Sequence, residues 1–257
     1  MPFPQAASEH YREQQRLTVA VVANMRRLWS QMGDDFDSSW QQVGPRVVAL
    51  LAAAQVATAR SSDDYVSAVL AETEEIDDPV GRVNPRRFAG TTSGGKPLAD
   101  LAVGAVIRAK TAKVKSSTEA LAVGGRWLDM ATQTAIADTS RSATSVAIAS
   151  RPDVTGYVRM VSLPACTRCS VLAGKAYRWN SGFLRHPRCD CRHIPASPRA
   201  AREIIPNELR ITNAVPLGGM QLATTSRGGV TTADSIIARA TDRTEAIELL
   251  RRFGFVA

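Results

Sequence analysis

The sequence predicts an α+β chain: a mainly helical N-terminal part, a small β-containing metal knuckle, and a short C-terminal helix. Three observations predict it. Apolar residues recur at three-to-four spacing through most of residues 1–150. At Arg151 the alanine-rich texture gives way to Pro152, Gly156 and a β-rich run. All four cysteines then fall between Cys166 and Cys191. With 44% hydrophobic residues the chain has material for one or two packed domains, and with only 5% aromatics it does not read as an all-β sandwich.

Residues 1–80 read as a helical region. Leu17, Val21, Met25, Leu28 and Met32 make one apolar face, and Gly33 to Ser39 breaks it. Val47, Leu50, Leu51, Ala54 and Ala57 make a second stripe, and Ser61 followed by Asp64 marks a fresh helix start. An antiparallel pair or triple of helices is expected, its stripes facing a common core, with partner docking as their alternative use. Residues 81–97, GRVNPRRFAGTTSGGKP, read as a linker. Helix resumes over 98–150, first with Leu98, Leu101, Ala105 and Val106 on one face. Ser116 and Glu119 have capping-box spacing, and Leu121, Leu128 and Ala135 continue the stripe. Residues 151–198 form the knuckle module, with a strand expected from Tyr157 to Leu163. Residues 199–257 read as a mixed tail, polar and Gly-rich from Gly218 to Thr232. It closes on an amphipathic helix from Thr244 to Phe255, with Ala246, Leu249, Leu250 and Phe253 on its apolar face.

A net charge of +8 and a pI near 9.8 bias the chain toward polyanions, or toward an acidic protein partner. No run of 18 apolar residues occurs, and Glu9, His10 and Glu13 stand where a secretory signal needs an apolar centre. A cytoplasmic setting is therefore expected. In a reducing compartment, clustered cysteines point to metal chemistry before disulfides.

The cluster runs Cys166-Thr-Arg-Cys169, then sixteen residues, then His186-Pro-Arg-Cys189-Asp-Cys191-Arg-His193. A C-x-x-C turn converges two thiolates on one ion, and a tetrahedral zinc needs two further ligands from a second turn at about this distance. Six donors compete for four positions. Cys166 and Cys169 are the surest; Cys189 and Cys191 share a face if the chain there is extended. If Pro187 makes a turn, His186 and Cys189 form the second pair instead. Four cysteines rank ahead of three cysteines plus His186, and His193 ranks last. Arg168, Arg185, Arg188 and Arg192 lie in the same segment. They can offset the thiolate charge or contact phosphate. Four protein ligands leave no open position for water, so the zinc reads as structural.

The stretch Tyr157-Val-Arg-Met-Val-Ser-Leu-Pro-Ala-Cys-Thr-Arg-Cys-Ser-Val-Leu-Ala-Gly174, continued by Arg178-Trp-Asn-Ser-Gly-Phe-Leu-Arg-His-Pro-Arg-Cys-Asp-Cys191, resembles the Mu F-like head morphogenesis proteins of tailed bacteriophages. Val83-Asn-Pro-Arg-Arg-Phe-Ala-Gly90 and Asp242-Arg-Thr-Glu-Ala-Ile-Glu-Leu-Leu-Arg-Arg-Phe-Gly254 also look like flanking segments of relatives from phages of actinobacteria. The resemblance implies a minor capsid component associated with the portal protein, acting in head assembly and in DNA packaging or delivery. Its further contacts would be scaffold or major capsid protein and non-specific DNA, with no membrane. It would be made in the host cytoplasm and end in the virion, inside the head near the portal.

Some members of that family are described as capsid maturation proteases, which makes protease the alternative reading. The residues argue against it. A nucleophile needs a positioned base; of the three histidines, His10 lies in a terminal helix while His186 and His193 lie in the metal segment. Lys110, Lys113 and Lys115 precede Ser116 and Ser117, a weak Ser-Lys pattern. No catalytic residue is assigned.

Overall fold

A computed structural model describes residues 3–162, 165–183, 185–204 and 231–257. Three helices open the chain: α1 (Gln5–Trp29), α2 (Phe36–Arg60) and α3 (Ser62–Glu72). The break after α1 falls where the glycine lies, and Asp35 restarts the helix by accepting hydrogen bonds from the backbone N–H groups of Asp37 and Ser38, both at 3.1 Å. The linker holds a short 3-10 turn, Pro85–Phe88. Two short helices, α4 (Leu98–Ala102) and α5 (Gly104–Lys110), lead into α6 (Ser117–Ala149), a helix of 33 residues.

The start of α6 is half a capping box. Ser116 accepts from the N–H of Glu119 at 3.2 Å, but the Glu119 carboxylate reaches back to the N–H of Lys115, at 3.0 Å.

After α6 come β1 (Gly156–Met160), α7 (Thr167–Val171), β2 (Ala176–Arg178) and β3 (Arg192–Ala196). The chain then forms α8 (Pro198–Glu203), α9 (Ala233–Arg239) and α10 (Arg243–Arg252). This is the α+β architecture expected, with two helices beyond the single C-terminal one. Their cause is local: Pro198 at the first turn behind a Ser197 cap, and a Thr232–Ser235 capping box. The expected strand is shifted to Gly156–Met160, and the Gly-rich stretch from Gly218 lies, up to residue 230, outside the described residues.

The sheet has the order β2-β1-β3, antiparallel throughout, with Tyr157 opposite both Tyr177 and Pro195. All five residues of β1 and of β3 are buried. At Gly156 the strands approach so closely that a Cβ would lie 2.2 Å from the Tyr177 carbonyl oxygen. Only glycine fits there.

Two apolar cores result. One joins the C-terminal half of α1 to α2, α4, α5 and the first part of α6, through Val21, Met25, Trp29, Val47, Leu51, Leu98 and Leu128. The other joins α3, the last turns of α6, the sheet, the cysteines and the C-terminal helices, through Val66, Leu70, Val146, Ile148, Val158, Ile194, Ile237 and Leu250. The helix α6, about 50 Å long at 1.5 Å per residue, belongs to both. Arg151, at its end, is fully buried and pairs with Asp63 at 3.2 Å and Asp77 at 2.5 Å, tying α3 and its following loop to the entry of the sheet.

Candidate metal centre

The C-x-x-C pair stands at the start of α7. Cys166 is its N-cap, and its Sγ accepts from the N–H of Cys169 at 3.4 Å. The second half of the cluster is a turn, in which the N–H of Cys189 donates to the carbonyl of His186 at 2.9 Å and Arg188 takes a left-handed φ of 64°. Both geometries that the sequence left open therefore occur together. The turn brings His186 beside Cys166 and Cys169, and it brings Cys189, with Cys191 just before β3, to the other side of Cys169.

Cys166, Cys169 and His186 bring their donor atoms within 4.8 Å of one another, and so do Cys169, Cys189 and Cys191. Cys169 belongs to both groups. Its Sγ lies 3.9 Å from that of Cys189 and 3.6 Å from His186 Nε2. Zinc at about 2.3 Å from sulfur and about 2.0 Å from nitrogen, in a tetrahedron, sets ligand atoms roughly 3.5 to 3.8 Å apart, so these separations suit one small ion. Cys169, Cys189 and Cys191 are buried, forming an inner triad, whereas Cys166 and His186 are half-buried at its rim, 3.1 Å apart. This cluster can hold a metal ion.

The sequence placed His193 near the ion as a last choice, and it is elsewhere. As part of β3 it packs flat on Tyr157, with ring centroids 4.0 Å apart, and edge-on to Phe183. Its Nδ1 shares a hydrogen bond with Ser145 Oγ at 3.2 Å. Burial, with the nearby cations Arg141, Arg185, Arg192 and Arg159, holds its pKa well below the ordinary value and keeps it neutral.

Two of the cations expected from the sequence feel the sulfurs, Arg185 that of Cys189 and Arg192 that of Cys191, and two others approach the cysteines more closely. The cation at the thiols is Arg159, from the middle of β1: one nitrogen lies 3.4 Å from both Cys169 Sγ and Cys191 Sγ, and the guanidinium stacks 4.2 Å from the Phe183 centroid. Burial works against its charge, yet the two thiols outweigh burial and raise its pKa. From α6, Arg141 donates to the carbonyls of Cys189 and Cys191, each at 2.9 Å, and pairs with Asp138. Arg185 pairs with Asp138 at 2.7 Å and Asp234 at 3.5 Å. Arg168 is half-buried on α7, Arg188 is exposed, and Arg192 is buried.

Close packing couples the thiols. Hydrogen bonding to Cys189 and Cys191, with burial added, pushes the Cys169 thiol up, while the matching bonds and Arg141 pull Cys189 down. One thiolate is thus favoured where three sulfurs crowd together, and a divalent cation is what lets the others deprotonate.

No family model, curated protein or solved structure matches the chain. The reading of the site rests on its own residues.

Arg159 and Arg141 were missed from the sequence. The signal was present for Arg159, a lone charge among Tyr157, Val158, Met160 and Val161. A charge buried in a strand needs a counter-charge, and the thiolates provide it. For Arg141 the sequence offers only a charge among small residues of a helix.

Proposed function

We propose that the chain is a Mu F-like minor head protein of a tailed phage, in which Cys166, Cys169, Cys189, Cys191 and His186 supply the ligands of one structural zinc. The observation that carries this is the meeting of the C-x-x-C pair with the His-Pro-x-Cys-x-Cys run in two donor groups that share Cys169, since these are the residues on which the resemblance rests. The inner triad of thiols supplies three ligands, and Cys166 or His186 completes the set from the rim. Zinc there is a fastener: it fixes α7, the His186–Cys189 turn and the start of β3 against α6. The basic charge and the helical N-terminal half support portal docking close to packaged DNA. Scaffold or major capsid protein would be further contacts.

The test is coexpression with the portal and capsid proteins of the same genome. Copurification with the portal at low stoichiometry, with about one zinc per chain by elemental analysis, is the expected result. A protein that neither associates with the portal nor carries metal would overturn the proposal.

The protease reading gains one observation, the Ser145–His193 contact. That pair has nucleophile and base within reach, but His193 is only 6% exposed and is clamped between aromatic rings. We assign it to packing. In the coexpression assay, capsid cleavage that vanishes in Ser145→Ala would reverse that assignment.

A further inference from the structure

Between α1, the middle of α6 and the turn that precedes β3 lies a cavity of about 360 Å³. Its wall includes Val19 and Val22 from α1, together with Arg26, Arg188, Asp190 and Arg192. Three arginines thus face one carboxylate. That carboxylate is already engaged: Asp190 Oδ2 accepts from the Tyr11 hydroxyl at 2.7 Å and from Gln15 at 3.1 Å.

Arg192 is the unusual member. Its side chain is buried, with the residue 3% exposed, and it makes no ion pair among the described residues. One end donates to the Asp190 carbonyl at 2.7 Å, while Nε–H has no hydrogen-bond partner. A buried guanidinium with an idle donor and no carboxylate at ion-pair distance among the described residues is costly unless an anion completes it. Arg188 sits on the rim in a left-handed conformation that residues with a Cβ seldom adopt, held by its N–H bond to Thr134 Oγ1 at 3.0 Å. Arg26 carries its own carboxylate, Asp129, at 2.7 Å, and 67% of its side chain is exposed.

We infer that this cavity binds the phosphate of a nucleotide unit. The Arg188 and Arg192 guanidinium groups, both in the cavity wall, hold the phosphate, while sugar or base lies along Val19, Val22 and Ala23. Guanidinium groups match phosphate oxygens in pairs, and with Arg26 held by Asp129 the remaining Arg188 and Arg192 outnumber Asp190 by one, which favours an anion. The volume exceeds what a bare ion fills and falls in the range of small-molecule sites. A free nucleotide and a nucleotide within a strand offer the same chemistry. The inference does not depend on the minor head reading.

The test uses the full metal-loaded chain, titrated calorimetrically with inorganic phosphate, adenosine monophosphate and a short single-stranded oligonucleotide. Binding of the mononucleotide more tightly than phosphate is expected. Val19 is 68% exposed on α1, so Val19→Glu should fold normally while placing a carboxylate in the cavity wall. It should weaken binding about tenfold or more, the scale of one lost charge-assisted contact, with zinc content and Tm unchanged. Arg188→Gly relieves the backbone and removes a cation, so affinity should fall without loss of stability. Stronger binding of the oligonucleotide would make nucleic acid the source, and equal binding would make it free nucleotide. Absence of any phosphate response at about 10 mM, above the weakest useful Kd of about 1 mM, would overturn the inference. So would equal binding by wild type and Val19→Glu, or capture of carboxylate peptides alone.

Discussion

At the cluster, single atoms decide the outcome. Cys169 contributes to both donor groups and is buried, whereas Cys166 and His186 stand side by side at the rim. Cys169→Ser should therefore abolish zinc retention, while Cys166→Ser and His186→Ala should each keep most of it because the other rim donor substitutes. The double variant should lose it. Elemental analysis after gel filtration separates these cases, and a Cys166→Ser protein without zinc would assign all four positions to cysteine. A second residue-scale effect belongs to His10, stacked at 4.1 Å on Tyr65 with Nε2 lacking a hydrogen-bond partner. Burial, with Arg192 nearby, lowers its pKa from 6.5 to about 4. Below pH 6.5 the unfolded chain takes up a proton there that the folded chain refuses until pH nears 4, so stability present at neutral pH drains away as pH falls through that window. The loss has a ceiling of roughly 3 kcal/mol, at 1.36 kcal/mol per unit. His10→Phe keeps the stack and removes the proton site, so its urea midpoint should fall less than that of wild type between pH 6.5 and 4. Equal declines would refute the assignment. Acid would also release a metal held by the cysteines, but in both proteins alike. The clustering of the candidate donors was legible in the sequence because C-x-x-C and His-Pro-x-Cys-x-Cys spacings are local. The partners of the sulfurs were not, because Arg159 and Arg141 come from a strand and a helix whose approach only the folded chain defines.

Elements show the same division. The stripes of α1 and α2 and the break at Gly33 follow from periodicity, and so do the interruption at residues 81–97 and the start of α6. Apolar spacing and turn chemistry are local quantities. The extent of β1 was misread because burial on both faces removes the alternation that marks a strand's ends. How elements meet depends on small residues whose partners lie far away in sequence. At Gly124 of α6, a Cβ would come within 2.6 Å of the Ala105 carbonyl oxygen and within 2.6 Å of the Trp29 ring. Gly124→Ala should gain helix propensity yet destabilise by about 1 to 3 kcal/mol, because α5 and Trp29 must be pushed apart. A raised Tm would show that this contact has slack. The Arg141 tie acts at the other end of the same helix. Arg141→Met leaves two knuckle carbonyls unpaired and should cost about 3 kcal/mol, with thermal unfolding as the readout.

For the whole molecule, the knuckle is part of a larger core. Its cysteines pack with α3, the last turns of α6 and the C-terminal helices. Removing the metal with a chelator should therefore loosen more than residues 151–198. Amide exchange should accelerate in β1, β3, α3 and α10, while α2 and α4, in the other core, keep their protection. Uniform acceleration would mean that the two cores unfold as one; no acceleration would mean that the metal adds nothing to the fold. Among the described residues no helix is long and apolar enough to cross a membrane, in keeping with the absence of a long apolar run in the sequence.

The sharing of α6 by both cores has a mechanical consequence. A load between the helical half and the sheet half is shared, because Ala6, Ala7 and Ala59 of α1 and α2 pack in the sheet core while Val21, Met25, Val47 and Leu51 pack in the helical core. Three rods act in parallel, of which α6 is the longest. That rod is most yielding where hydroxyl side chains compete for its own carbonyls. Thr134 bonds back to Met130 at 2.7 Å and Thr139 to Ala135 at 2.9 Å, contacts that bend helices. Under load α6 should bend first at that segment, while α1 and α2 keep the two halves together.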